Sequence, residues 1–130
     1  MIESFTRLAF AFVNVSLLVV ATGFIAPAMA GDLRLLMFDQ PGCVYCQKWE
    51  AEIGPIYPQT EEAVLAPLTQ IGIRDDLPEA ISLSRPVGLT PTFVLVDDGR
   101  EVGRMEGYPG EDFFWFLLGE LIGGAEGAES

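Results

Sequence analysis

Cys43 and Cys46 are the only cysteines in a chain of 130 residues. Two thiols at this spacing can close or open a disulfide with little backbone movement. The stretch ahead of them, Leu33 to Asp39, reads as a short apolar strand, and Gln40-Pro41-Gly42 as a tight connection out of it. From Cys43 onward the spacing turns helical, with Cys46, Trp49 and Ile53 recurring on one face until Gly54-Pro55 ends the pattern. The pair therefore falls in a strand-to-helix turn. There, free backbone N–H groups and the positive end of the helix dipole favour an anion such as a thiolate. The chemistry this predicts is dithiol/disulfide exchange.

Structural explanations of the pair are weaker. A disulfide closing so short a loop contributes only about 2 kcal/mol on the loop-entropy model, against about 3 for a fifteen-residue loop. Zinc needs about four ligands, and the chain has no third cysteine and no histidine, so a metal site would require a second chain. Packing of two reduced cysteines on a helix face remains open but leaves the turn and the spacing unexplained.

Residues 8 to 31 carry no charge, Arg7 is the one basic side chain ahead of them, and Pro27-Ala28-Met29-Ala30 ends in small residues where a signal peptidase cuts. Residues 1–30 read first as a signal peptide. The apolar run also suits an uncleaved membrane anchor, since about 20 residues span a bilayer. In either case the remainder is delivered across a membrane, in a bacterium to the periplasm, where disulfides persist or are handled catalytically. All of the charges except Glu3 and Arg7 lie beyond residue 30, so the net charge of −12 belongs to the exported part. Such a surface repels nucleic acid and excludes it as a partner, and most of these acids serve solubility. The exported length suits one domain, 31–122, followed by a disordered acidic Gly/Ala/Glu tail at 123–130.

Thr60 is placed to cap a short helix over Glu61 to Leu65, and Leu68 to Ile73 forms a second strand. Arg74 to Pro78 is polar and turn-rich and is left open between helix and loop. Thr92 to Val96 and Arg100 to Glu106 flank Asp97-Asp98-Gly99 as a hairpin. Glu111 to Ile122 is a core-covering helix with stripes Phe113/Leu117/Leu121 and Phe114/Leu118/Ile122. This order implies an α/β domain. Its central mixed four-stranded sheet has early parallel strands, a late antiparallel hairpin and helices on both faces.

With a CxxC opening the first helix, the chain resembles the thioredoxin superfamily in a compact, glutaredoxin-sized version. Three elements carry the resemblance: Cys43 to Cys46, Leu89-Thr90-Pro91-Thr92-Phe93 before a strand, and the Gly107-Tyr108 turn. Gln40-Pro41-Gly42-Cys43-Val44-Tyr45-Cys46-Gln47-Lys48-Trp49, followed by Glu52 to Pro58, is similar to the small exported thioredoxins of bacterial sulfur-oxidation (Sox) systems, the SoxS type. That likeness implies a cis bond before Pro91 facing the disulfide, and a substrate-binding surface at Thr90, Pro91 and Tyr45. It further implies a periplasmic protein partner, the sulfur carrier SoxYZ, kept reduced by this chain, and a membrane donor that re-reduces the pair. No cofactor beyond the Cys43–Cys46 disulfide is called for, and no metal.

The sequence departs from ordinary thioredoxins in carrying Val44-Tyr45 between the cysteines, Gly42 before them and Met37 where a buried acid is usual. Asp39 is a substitute for that acid or, preferably, a solvated turn residue. Lys48 is preferably solvated, and Trp49 and Trp115 are assigned to packing. Cys43, at the helix N-terminus, is the expected nucleophile and Cys46 the resolving thiol. Without a histidine between the cysteines, a reductant is expected. The competing functions are a glutaredoxin-like glutathione-dependent thiol transferase, a periplasmic disulfide oxidase or isomerase, and a binding module with a structural disulfide.

Overall fold

The computed structural model describes residues 31–128; the expected signal peptide or anchor lies outside them. The run Leu33–Asp39 forms β1, whose Leu35, Leu36, Met37 and Phe38 are all buried. Burial on both faces is the environment that a continuous apolar strand requires. β1 pairs parallel with β2 (Leu68–Gly72) and antiparallel with β3 (Thr92–Asp97), and β3 pairs antiparallel with β4 (Arg100–Glu106). The resulting sheet has four strands in the order β2-β1-β3-β4, the mixed α/β arrangement expected. The hairpin closes through Asp98 and Gly99 with φ of 47° and 79°. Both lie in the left-handed region that a two-residue type I′ turn demands and that Asp-Gly supplies.

The helices α1 (Val44–Glu52), α2 (Glu61–Leu65) and α3 (Glu111–Ala128), with a 3-10 turn at Tyr57–Gln59, cover one face. Cys46 and Trp49 of α1 and Phe114, Leu118 and Ile122 of α3 pack there onto Leu35, Met37, Phe93 and Leu95. Thr60 caps α2, its Oγ1 accepting from Ala63 N–H at 3.2 Å and donating to Tyr57 O at 2.8 Å. Of the two anticipated α3 stripes one is fully core, while Leu117 and Leu121 of the other are half-buried against the same cluster. Phe114, Leu118 and Ile122 are buried, whereas Phe113 is 65% exposed.

Two features differ from the sequence expectation. Among the described residues the opposite sheet face carries no helix: Leu36, Phe38, Ile71, Val94 and Val96 are covered by Ile81, Leu83 and Val87 from the irregular stretch 73–91. Pro78, Pro86 and the Gly72 to Asp75 turn break helical periodicity in that stretch. It is tied down instead by a bridge from Ser82 to Arg100. α3 also continues through the expected tail to Ala128. Gly123 and Gly124 weaken it, but no proline interrupts the hydrogen-bond ladder, and Ala125 still packs against the core.

Candidate functional site

Cys43 and Cys46 are joined as a disulfide with Cα atoms 5.2 Å apart. The turn that delivers them is fixed by its own sequence. Cys43 N–H donates to Gln40 O at 3.2 Å, with Pro41 and Gly42 between them and Gly42 at φ 77°. This is a type II turn, with proline presetting the first central residue and glycine taking the left-handed second. Cys43 then adopts extended geometry (φ −77°, ψ 104°) as the N-cap of α1, and its Sγ accepts from Cys46 N–H at 3.1 Å. That is the contact a capping Ser or Asp oxygen makes to the third helical amide. A sulfur in this position meets a backbone donor and the positive helix end, both of which stabilise it as an anion. Cys43 is 9% exposed and Cys46 4%, so Cys43 is the more exposed residue of a largely buried pair.

Beside the pair lies a shallow groove of about 410 Å³, lined by Tyr45, Leu89, Thr90, Pro91, Glu106 and Tyr108 among others. The three residues expected to contact substrate, Tyr45, Thr90 and Pro91, are thus brought together from α1 and from the loop before β3. The Thr90–Pro91 bond is cis. Pro91 O accepts from Gly107 N–H at 2.7 Å, and Thr92 Oγ1 donates to Leu89 O at 2.7 Å, which ties the loop to the end of β4 and to itself. Tyr45 is 60% exposed and Val44 70%, an apolar rim to the disulfide.

Sequence reasoning missed three groups here. Gln40 Nε2 donates to Thr90 Oγ1 at 2.9 Å across fifty residues of chain. Tyr108 donates to Glu52 Oε2 on α1. Burial, the hydrogen bond to Glu52 and the charges of Glu52 and Glu111 together hold its hydroxyl well above the ordinary phenol range. Leu89 and Glu106 complete the groove wall. None of these has a local signal, because each depends on which distant segments meet.

Met37 is fully buried in the cluster that holds both cysteines, so no carboxylate occupies that place. Asp39 follows Met37 in the β1 alternation and lies at the strand end. Its carboxyl is raised above the ordinary value of 3.8, first by burial and then by Glu50 and Asp75, against its own backbone hydrogen bond. It is therefore less solvated than the turn acid preferred from sequence. Lys48 reaches Glu52 Oε1 at 4.0 Å. Trp49 fills the core between Tyr57, Phe93 and Phe114, and Trp115 stacks on Tyr57, as packing residues. Among the described residues no group of three or more His, Cys, Asp or Glu is placed to hold a metal ion.

A disulfide at a helix N-terminus, set beside a cis-proline loop on a β2-β1-β3-β4 sheet, defines a thiol-disulfide oxidoreductase of thioredoxin type. Residues 28–121 match the family model for a thioredoxin-like domain, and the chain belongs to that family. Among solved structures it is similar to the periplasmic thioredoxin SoxS from Paracoccus pantotrophus, in its reduced form. The two are 59% identical with a TM-score of 0.70, over 72% of this chain and 98% of that one. A comparison with curated proteins found no match.

Proposed function

We propose that this chain is a periplasmic reductant that keeps the cysteine of a sulfur-oxidation carrier protein of the SoxYZ kind free. Cys43 is its nucleophile, Cys46 its resolving thiol, and Thr90, Pro91 and Tyr45 its substrate contacts. The observation that carries the reading is the Cys43 sulfur at the N-cap of α1, accepting from Cys46 N–H, next to a groove that Tyr45 of the same helix lines together with Pro91. The likeness to a periplasmic SoxS supports the compartment and the substrate class.

In the reduced form the Cys43 thiolate attacks one sulfur of the substrate disulfide. A Cys43–substrate bond forms, and the other substrate sulfur leaves as a thiolate that takes up a proton. Cys46, losing its proton, then attacks Cys43 Sγ and releases the second substrate thiol. The substrate gains the two electrons that the pair loses when its own disulfide closes. A membrane donor of reducing equivalents restores the dithiol. The anionic sulfur is stabilised at the helix terminus in the attacking step, and the neighbouring Cys46 makes resolution intramolecular.

The test is to express Cys46→Ser in the native cell and identify by mass spectrometry what stays disulfide-bonded to Cys43. A cysteine-bearing sulfur carrier among the trapped proteins is the expected result. Glutathione alone, or nothing, refutes the reading, the former in favour of a glutaredoxin-like transferase.

A further inference from the structure

The loop that forms one wall of the groove ends a long segment with no helix of its own, yet it must stand in register with the sulfur it serves. Three hydrogen bonds fix it. Thr92 Oγ1 to Leu89 O is internal, and Gly107 N–H to Pro91 O ties it to the end of β4. The third, from Gln40 Nε2 to Thr90 Oγ1 at 2.9 Å, runs to the turn that carries Cys43. Among the described residues it is the only side-chain hydrogen bond joining these two loops. Gln40 also gives its carbonyl to Cys43 N–H. One residue therefore holds the sulfur turn with its backbone and the substrate loop with its side chain.

The backbone from which that side chain springs is stiff. Pro41 fixes one central residue of the turn, and Gly42 holds the other at φ 77°. The amide is thus presented from a set position and needs little ordering of its own, the condition under which a single neutral hydrogen bond acts as a positioning device. We infer that Gln40 is a positioning residue for protein substrates: through Thr90 it sets the spacing between Cys43 and the loop along which an extended substrate segment lies. This rests on the reading of the chain as a disulfide reductant. Gln40 touches neither sulfur nor substrate, so its loss weakens docking and leaves exchange at a docked disulfide nearly intact.

The experiment is reduction of insulin disulfides by the whole exported chain, driven by dithiothreitol, for three variants: Gln40→Met, Thr90→Val and the two combined. Methionine keeps the length of the side chain and removes the donor; valine keeps the shape of threonine and removes the acceptor. Gln40 is exposed, so the fold survives its replacement, which a melting curve checks. From the usual net strength of one neutral hydrogen bond, KM rises about three- to tenfold in Gln40→Met while kcat changes by less than about twofold. Thr90→Val, which also alters a substrate contact, raises KM at least as much, and the double variant is no worse than Thr90→Val alone.

An unchanged KM in Gln40→Met overturns the inference, as do effects of the two variants that multiply in the double, or a fall in kcat at constant KM. Failure of the unsubstituted chain to reduce insulin overturns the reductant reading and this inference with it.

Discussion

Arg104 and Glu101 form a pair of 5% exposed side chains on β4, bonded at two points, Nε to Oε1 at 2.6 Å and Nη2 to Oε2 at 2.7 Å. Around them the segment covering the second sheet face is gathered in. Glu101 Oε2 accepts from Ser84 N–H at 2.7 Å, and Arg104 Nη2 donates to Arg85 O at 2.8 Å. Arg104→Met removes the cation, leaves Glu101 enclosed with its charge uncompensated, and frees the carbonyls of the cover.

Two routes give the magnitude. The Arg104 hydrogen bond, opposed by burial and helped by Ser84, holds the Glu101 carboxyl from 4.5 down to about 2. At about 1.4 kcal/mol per tenfold change in proton affinity, that depression corresponds to roughly 3 kcal/mol. Removing one partner of a buried pair independently costs about 3–5 kcal/mol. The expected loss at pH 7 is therefore about 3 kcal/mol, and with about 4–8 °C per kcal/mol for a domain of this size, a fall in melting temperature of at least about 12 °C.

The pH dependence separates this pair from a generic packing defect. A carboxyl depressed in the fold contributes stability that is complete above its ordinary 4.5 and is lost as pH falls through that value toward about 2. Urea unfolding of the oxidised protein across this window is the assay. The difference between parent and Arg104→Met shrinks at the acid end toward the pH-independent part left by the lost bonds to the Arg85 and Pro86 carbonyls. A difference below about 1 kcal/mol at pH 7, or one that stays constant down to pH 2, refutes the assignment of the stability to this pair.

Two further substitutions test the neighbourhood of the disulfide. Gly42→Ala places a Cβ in open space but at φ 77°, so its cost is pure backbone strain, about 1–2 kcal/mol by chemical denaturation; no loss would mean the turn rearranges freely. Because the Asp39 carboxyl is raised above 3.8, its ionisation weighs against the fold as pH rises past that value. Asp39→Asn should therefore raise the melting temperature at pH 7 and leave it nearly unchanged at pH 3, and an equal shift at both would exclude a charge effect.

The parts of the molecule readable in sequence were those with local signatures. Asp98-Gly99 announces its hairpin because few other residues take two left-handed positions in a row. Cys46, Trp49 and Ile53 declare the buried face of the first helix by their spacing, and all three are buried. The cover of the second face carries no such signature, because Ile81, Leu83 and Val87 follow neither helical nor strand spacing and are recruited singly to fill a surface. Phe113 and Phe114 looked equivalent in sequence, and only the position of the sheet decides that Phe114 is buried and its neighbour is not. The site shows the same division. The cysteines and Pro91 carry their own signals, whereas Gln40 and Thr90, or Glu52 and Tyr108, acquire meaning only when chain segments fifty or more residues apart are brought together.

The irregular cover over the second sheet face has a consequence for how such a protein can be changed. The sulfur turn is built into β1 and α1, where almost any alteration disturbs the core. The opposite wall of the groove hangs from a stretch whose polar attachments to the sheet and the sulfur turn are nameable, among them Ser82, Ser84, the side chain and carbonyl of Arg85, the carbonyls of Pro86 and Pro91, and Thr90. The disulfide and the groove wall facing Tyr45 thus come from separate pieces of chain. Rewriting residues between these anchors is a route to a new client protein that leaves the electron-carrying end of the molecule as it stands.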